Sequence, residues 1–345
     1  MSGFWRSRMP VNEEAIKEFG SEAVPGHLKR WWFALGGTPA YLFIVQVFTG
    51  ILLTFYYIPN PEKAYDSVRY ITETVPFGWY IRGMHLWGSH LLIVAVILHM
   101  MRAFFTGTYR KPRELTWVLG VLLLLLMMGM GFTGYSLVYE QLSYWGATVA
   151  SNLTESAPGI GPILANFIRG GAEIGENTLT RFYIFHIAAV PTLLVMVLAG
   201  HIWMVRTHGV KELHFEDEEE SEKGTFPFFP NHFLTELLVG LVLMVLLSTL
   251  SVVFPATLAD PANPLVTPEH IKPEWYFLFT FRWLKLAGTD MAIATMGLFA
   301  LLFVGWPWVD KLLRKKNPSS EASVLIGSLV TLGLVGMTMW EIFSG

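Results

Sequence analysis

The sequence predicts an all-α membrane protein with seven transmembrane helices. Of its 345 residues, 53% are hydrophobic and only 15% are charged, whereas soluble domains carry about 25% charged residues. The chain also contains seven apolar stretches near the length of about 20 residues that a helix needs to cross a bilayer. Composition and stretch length therefore agree on a multi-pass protein.

The seven stretches are separated by polar or proline-containing segments. In chain order they are Trp31–Tyr57, Trp79–Phe105, Leu115–Leu137, Phe182–Val205, Phe233–Phe254, Ala292–Trp308 and Val324–Phe343. After the fourth stretch comes the acidic run FEDEEESEKG, a pattern typical of a solvated linker. We therefore predict a four-helix bundle in residues 1–210, an acidic cytoplasmic linker in 211–231 and a three-helix part in 232–345.

The distribution of basic residues predicts the orientation in the membrane. The first thirty residues are mixed and charged and contain no apolar signal-peptide core, so the N-terminus is expected in the cytoplasm. With that placement, about two thirds of the 24 Lys and Arg residues fall in cytoplasmic segments. This excess follows the positive-inside rule.

The second stretch holds three histidines, and two of them, His85 and His99, are fourteen residues apart. At about 100° and 1.5 Å per residue, fourteen steps fall about 40° short of four turns and rise about 21 Å. Both imidazoles therefore leave one helix face, near opposite membrane surfaces.

The fourth stretch repeats this arrangement with His186 and His201, fifteen residues apart. This spacing leaves them on one face to within about 60° and about 22 Å apart in height. Two such helices packed side by side offer two bis-imidazole sites at different depths. Axial histidines of this kind are typical haem ligands, so the first part is predicted to be a di-haem bundle with two haem b groups.

Two other interpretations of the histidines were weighed. A single intramembrane histidine is often only hydrogen-bonded inside a bundle, but two matched pairs favour ligands. Zinc is excluded for one helix, because His85 and His99 lie about 21 Å apart and cannot reach one ion. The chain has no cysteine, so disulfides, iron-sulfur ligation and thioether attachment of haem are also excluded.

Glycines repeat the histidine spacing on the other two helices of the bundle. Gly36 and Gly50 are fourteen residues apart in the first stretch, as are Gly120 and Gly134 in the third. A glycine lets a flat macrocycle approach the backbone, so the matched spacing predicts a groove at each haem level. The alternative is ordinary small-residue packing between membrane helices.

Two outer loops are candidates for function. The loop Tyr139–Arg181 is long for a simple connection. The loop after the fifth stretch is proline-rich, which prevents one continuous helix, and contains Glu274 beside Trp275 and Tyr276. Such residues either anchor the chain at the membrane surface or form a proton acceptor at the edge of an apolar pocket.

These residues resemble the cytochrome b family of quinol-oxidising bc complexes. The similar segments are ALGG, VQVFTG, LTFYY, FGWYIRGMH, KPRELTWV, TGYSL, TLTRFY and PEWYF. The resemblance runs from about His27 to the end of the chain. The fifteen-residue histidine spacing and the seven spans are similar to cytochrome b6 followed by subunit IV, here fused in one chain.

The resemblance implies roles for the histidines and for several arginines. His85 and His186 would hold the outer, low-potential haem, and His99 and His201 the inner, high-potential haem. Basic positions are implied opposite the haem propionates and at the inner quinone site. In this sequence they are Arg82 and Arg102 for the propionates and Arg206 for the quinone, with His208 as a neighbour.

The resemblance also implies an outer quinol pocket. Glu274 and Tyr276 match its signature, Tyr135 lies on the opposing wall, and Tyr139 is expected to line it. Quinol oxidation needs a base within hydrogen-bond reach, and Glu274 is the expected proton acceptor. Glu140 is the competing acid.

The sequence departs from the family pattern in two places. Leu42 stands where cytochrome b6 has the cysteine that tethers an extra haem. In addition, Val138–Glu140 replaces the usual Pro-Trp pair and acid after TGYSL. The second departure affects the predicted shape of the outer pocket.

The implied function is that of the membrane core of a quinol:cytochrome c, or plastocyanin-like, oxidoreductase running a Q cycle. Expected partners are a Rieske iron-sulfur protein, a c-type cytochrome subunit, quinone, membrane lipid and a second copy of the complex. No nucleic acid is expected. The expected location is a bacterial inner membrane or an equivalent energy-transducing membrane.

Two rival functions remain open at this point. A di-haem b anchor of another dehydrogenase would reduce quinone without bifurcation and would not need the acidic aromatic loop. A transporter or scaffold would use the histidines as proton relays and would show no haem spectrum.

Overall fold

The computed structural model describes residues 8, 12–30, 36–213, 224–269 and 271–344. Within these ranges the protein is almost entirely helical, which confirms the predicted fold class. We call the membrane end nearer His85 the outer end and the end nearer His99 the inner end. The predicted acidic run at 215–224 lies almost wholly outside the described residues, and the division into parts at 211–231 stays a prediction.

Six helical segments of the described chain are long and apolar enough to cross a membrane. Each agrees with one of the predicted stretches, although residues 31–35 at the start of the first stretch lie outside the described ranges. The segments are Gly37–Thr54 (α2), Gly78–Phe105 (α4), Glu114–Ser136 (α5), Glu176–His208 (α8 and α9), Phe228–Val253 (containing α10, Phe233–Val253) and Ala322–Phe343 (α14).

The sixth predicted span is a bent pair of helices. Thr289–Val304 (α12) and Trp306–Lys316 (α13) meet at Gly305 with an angle of 71° between them. Pro307 lies in the first turn of α13, where its missing N–H costs no helical hydrogen bond. Glycine and proline together therefore end one helix and begin the next.

Shorter elements lie in the loops. The polar segment Pro59–Phe77 between α2 and α4 contains a helix, and the proline-rich loop is followed by another. These elements are α1 (Glu13–Gly20), α3 (Ala64–Glu73), α6 (Gln141–Glu155), α7 (Gly161–Arg169), α11 (Leu278–Ala287) and the strands β1 (Ala23–Pro25) and β2 (Thr225–Pro227). The two strands pair antiparallel, with Val24 opposite Phe226.

Helix α4 lies at the centre of the membrane core and packs against α2, α5 and α10. Leu42 of α2, Leu92 of α4 and Leu247 of α10 are buried in one apolar cluster. A Cβ added at Gly83 of α4 would lie 3.0 Å from the Cβ of Ser251, so glycine permits this close approach. Many outward apolar side chains of the spans are exposed, as expected for lipid-facing surfaces.

A second apolar cluster joins the inner end of α4 and α5 to α12 and α13. The Trp117 indole donates to the Phe303 carbonyl at 2.8 Å, and Arg110 pairs with the buried Asp310 at 2.8 Å. Contacts of this kind, in addition to those of α10, hold the C-terminal helices against the N-terminal bundle.

Candidate functional site

The structure brings together the two histidines that were predicted to form the outer pair. His85 lies on α4, and His186 lies at the junction between α8 (Glu176–Ile184) and α9 (Val190–His208). The centroids of their imidazole rings are 6.1 Å apart, and the ring planes are inclined at 76°. The rings therefore face each other across a gap.

The inner histidines are paired in the same way. The ring centroids of His99 on α4 and His201 on α9 are 6.4 Å apart, with an interplanar angle of 71°. Each pair thus joins the same two helices. The pairs are separated along α4 by fourteen residues, or about 21 Å of helix rise.

Both separations fit a metal held between two imidazoles. Two collinear metal–imidazole bonds are about 2 Å each. With the distance from each nitrogen to its ring centre added, the ring centroids lie about 6 Å apart. The donor sets at both depths therefore fit six-coordinate haem iron.

Two threonines determine which nitrogen of the outer histidines is free for a metal. Thr49 Oγ1 lies 2.9 Å from His85 Nδ1 and donates its own proton to the Val45 carbonyl at 2.8 Å. With the hydroxyl proton on the Val45 carbonyl, Nδ1–H is the donor to Thr49. The lone pair of His85 then lies on Nε2, the nitrogen that would hold iron, and such a hydrogen bond also fixes the ring orientation.

His186 has an equivalent arrangement with Thr133. Thr133 Oγ1 lies 3.2 Å from His186 Nδ1 and donates to the Gly129 carbonyl at 2.8 Å. The sequence contained a signal for both threonines, because each belongs to an FTG triplet, at 48–50 and 132–134. That repeat was not used in the prediction.

The structure also explains the unequal histidine spacings. Residues Phe185–Ala189 form a π turn, which includes His186. A π turn closes i to i+5 hydrogen bonds and so accommodates one residue more than an α turn. The π turn therefore lets the fifteen-residue spacing of His186 and His201 match the fourteen-residue spacing on α4. It compensates locally for the predicted angular offset of about 60°.

Three of the four predicted glycines flank a histidine. A Cβ added at Gly134 would lie 2.5 Å from His186 Cε1, one at Gly50 would lie 3.2 Å from His85 Cε1, and one at Gly120 would lie 3.5 Å from His201 Cε1. A Cβ at Gly36 would meet nothing within 4 Å, so its role in the groove stays a prediction.

The three candidate arginines have protein partners. Arg82 donates to the Ala256 carbonyl at 2.7 Å and to the Thr257 carbonyl at 2.9 Å, which ties α4 to the loop after α10. Arg206 forms an ion pair with Glu22. Arg102 interacts electrostatically with Glu236, as described below. The predicted contacts of Arg82 and Arg102 with haem propionates, and of Arg206 with quinone, stay predictions.

The candidate acid and tyrosines of the outer pocket lie together at the outer end. Tyr135 at the end of α5 interacts electrostatically with both Glu274 and Tyr276. Tyr276 is buried, and a Cβ added at Gly131 would lie 2.9 Å from its hydroxyl oxygen. Burial, and secondarily the charge of Glu140, raises the pKa of Glu274 above its usual range.

Glu140 has a structural role that the sequence did not indicate. It precedes α6, and its Oε2 accepts a hydrogen bond from the Ala259 N–H at 2.9 Å. Its neighbour Tyr139 has a left-handed backbone with φ of 56° and accepts from the Ala262 N–H at 3.1 Å. Burial raises the pKa of Tyr139 to about 12. The Val138–Glu140 departure therefore joins the end of α5 to the loop after α10.

Fold and site together define a multi-pass helical protein with two stacked bis-histidine sites and a half-buried acid at one end. Comparison with known proteins gives the family. Residues 19–209 match the family described as cytochrome b/b6/petB, and residues 261–342 match cytochrome b(C-terminal)/b6/petD.

Individual relatives extend these matches over most of the chain. The cytochrome bc complex cytochrome b subunit of Chlorobaculum thiosulfatiphilum is 36% identical over 92% of this chain and 76% of its own length. Cytochrome b6 of Heliobacterium modesticaldum is 42% identical over 59% of this chain and 96% of its own. Cytochrome b of Rhodobacter capsulatus is 38% identical over 77% of this chain and 63% of its own.

A solved structure has the same fold. A chain of a hyperthermophilic respiratory complex III superposes with a TM-score of 0.80 at 22% identity, covering 98% of this chain and 97% of its own. The protein described here therefore belongs to the cytochrome b family, and it carries the b6-like and C-terminal parts in one chain. The family recognised in the sequence is confirmed.

Proposed function

We propose that this chain is the di-haem cytochrome b subunit of a quinol:cytochrome c, or plastocyanin-like, oxidoreductase of the bc type. It would oxidise quinol at the outer end and reduce quinone at the inner end in a proton-translocating Q cycle. The observation that carries the proposal is the combination of two bis-histidine sites, joined by α4 and α9, with a half-buried acid, Glu274, at the outer end. A di-haem anchor would have no need of that acid.

His85 and His186 would hold one haem b, and His99 and His201 the other. When bound, these groups would supply one-electron redox chemistry at two depths of the membrane. The protein's contribution is geometric, because α4 and α9 keep the two sites about 21 Å apart. Thr49 and Thr133 orient the outer imidazoles through Nδ1.

Glu274 would accept a proton from quinol. A neutral quinol in an apolar pocket must lose protons as it loses electrons, so a base must lie within hydrogen-bond reach. The raised pKa of Glu274 makes this carboxyl a stronger base than an exposed glutamate, and Tyr135 and Tyr276 lie close enough to interact with it electrostatically. One electron from quinol would go outward to a Rieske iron-sulfur protein and the other inward through this chain.

The inner end offers charged groups for quinone reduction. Arg206 with Glu22 lies at the inner end of α9, and Arg102 interacts electrostatically with Glu236 of α10. A quinone that takes up electrons also takes up protons, so paired acids and bases at this end suit the reaction. The Arg206–Glu22 pair is half-exposed, which gives it access to water.

The remaining assignments rest on family membership and charge distribution. The subunit would sit in a bacterial inner membrane or equivalent energy-transducing membrane with its N-terminus in the cytoplasm. Its partners would be a Rieske protein and a c-type cytochrome, and the complex would be a homodimer. The relative from Chlorobaculum thiosulfatiphilum, named as a subunit of a bc complex, supports this setting.

The test is quinol-driven haem reduction in the purified complex, followed by stopped-flow absorbance. Glu274→Gln keeps the shape of the side chain but removes the base, so it should slow reduction of the outer haem strongly, while haem content and midpoint potentials stay near wild type. Glu140→Gln is the matched control, because glutamine still accepts from the Ala259 N–H. Near-native turnover in Glu274→Gln with slow turnover in Glu140→Gln would move the proton path to Glu140.

A further inference from the structure

The third histidine of α4, His90, is not used by either bis-histidine site. It lies five residues beyond His85 on the same helix and is partly buried. Its Nδ1 is 3.1 Å from the indole Nε1 of Trp275. Trp275 follows Glu274 directly, so a side chain of the haem-holding helix touches the segment that carries the proposed proton acceptor.

The contact has a defined direction. Indole nitrogen is a donor only, so His90 Nδ1 must be the acceptor and must carry no proton. The ring of His90 is also packed between aromatic rings: its centroid lies 5.7 Å from Trp87, 6.5 Å from Trp275 and 6.4 Å from Tyr276. Packing thus restricts the orientation of the His90 imidazole, whose Nδ1 faces the Trp275 indole.

We propose that His90 is a positioning residue of the outer quinol site: by accepting the Trp275 indole N–H, it holds the Glu274–Tyr276 segment against α4. The proposal rests on the proposed quinol oxidation. Trp275 begins a single 3-10 turn, closed by the Phe277 N–H bonding to the Glu274 carbonyl at 2.8 Å. A short turn of this kind has few internal bonds, so a side-chain anchor at Trp275 restrains the carboxyl next to it.

The neighbouring anchors between α4 and the same loop hold its beginning, not this turn. Trp87 Nε1 donates to the Phe254 carbonyl at 2.8 Å, and Arg82 donates to Ala256 and Thr257. These contacts end seventeen residues before Glu274 in the chain, at Thr257. At the turn itself, the link from α4 is the hydrogen bond between His90 and Trp275, beside the packing of the His90 ring against Tyr276.

The chain offers matched variants. His90→Leu has similar volume but cannot accept a hydrogen bond, whereas His90→Asn places an acceptor oxygen at the δ position. Trp275→Phe removes the donor and keeps an aromatic ring. A hydrogen bond of this kind is worth roughly two- to tenfold, so His90→Leu and Trp275→Phe should each slow quinol-driven haem reduction by about that factor, in kcat more than in KM.

The double variant and the conservative variant separate positioning from general damage. His90→Leu with Trp275→Phe should be no slower than either single variant, because both remove the same bond. His90→Asn should recover most of the rate, and dithionite-reduced haem content should be that of wild type throughout. A double variant that is slowed by the product of the two single factors would overturn the proposal. Equal rates for His90→Leu and His90→Asn would also overturn it.

A second readout does not depend on Glu274 being the proton acceptor. The ultraviolet resonance Raman difference between wild type and Trp275→Phe isolates the Trp275 indole, whose N–H band should report a hydrogen bond in wild type and in His90→Asn but not in His90→Leu. An unchanged band in His90→Leu refutes the contact. If Glu274→Gln is fast while this band shifts as expected, the proposed function fails and the His90 contact stands.

Discussion

Replacing Gly134 by alanine should displace His186 and distort the geometry of the outer haem site. The added Cβ would lie 2.5 Å from Cε1 and 3.1 Å from both Nδ1 and Nε2 of His186. An ordinary contact begins at 3.4 Å, so the ring or the helix must move by about 0.9 Å. All three atoms belong to one rigid ring, and the side chain has no flexible end that could swing away.

The displacement is large compared with what a metal site tolerates. Metal–ligand distances in real sites hold to within about 0.2 Å, so a shift of about 0.9 Å in one axial ligand breaks the match between His85 and His186. Overpacking of this kind costs about 1–3 kcal/mol. At about 1.4 kcal/mol per factor of ten, the outer site should bind its haem about 5- to 150-fold more weakly.

The same substitution at two other glycines supplies the controls. An added Cβ at Gly50 would lie 3.2 Å from His85, and one at Gly120 would lie 3.5 Å from His201, already an ordinary contact. On these ring contacts the expected order of damage is therefore Gly134→Ala, then Gly50→Ala, then Gly120→Ala.

The assay is haem b per chain by pyridine haemochrome, with low-spin signals and midpoint potentials measured on the purified complex. Gly134→Ala should show a lost or shifted outer haem and an unchanged inner haem. Two low-spin haems at wild-type potentials in Gly134→Ala, or greater damage from Gly120→Ala, would refute the reasoning from ring contacts.

Three further outcomes are expected. Wild type should contain two haem b per chain, and His201→Leu should lose the inner haem while keeping the outer one. A ratio of one haem b per chain in wild type would contradict a haem at each ligand pair. Haem-stained denaturing gels should leave this chain dark, since it has no cysteine, and a peroxidase-active band that mass spectrometry assigns to this chain would show otherwise. The rate of quinol-driven reduction should rise with pH through the raised pKa of Glu274, because only the ionised carboxyl accepts a proton. Glu140→Gln removes one cause of that raised pKa, so the rising limb should move to lower pH; a shift to higher pH would contradict the electrostatic coupling.

The histidine pairs were predictable because helix geometry is regular. Fourteen residues on an uninterrupted helix determine both the face and the height of two side chains, and α4 is uninterrupted from Gly78 to Phe105. The spans were predictable for a related reason, since bilayer thickness sets their length. The bend at Gly305 was not predicted, although Gly305 and Pro307 mark it in the sequence.

The π turn at His186 was not predicted, although Pro191 marks it in the sequence. Proline has no N–H for an α-helical bond to the Ile187 carbonyl. The partners of Arg82 were missed because they are backbone carbonyls of a loop about 175 residues away. Long-range contacts to main-chain atoms leave no signature in either partner's sequence.

The contacts of α4 explain why the two sequence parts function as one unit. Its inward face carries His85 and His99, while Arg82, Trp87 and His90 hold the loop that bears Glu274. A shift of α4 would therefore move the outer histidine and the proposed proton acceptor together. Because these contacts are made by side chains on a single helix, α4 would set the distance between the proposed quinol site and the proposed outer haem site.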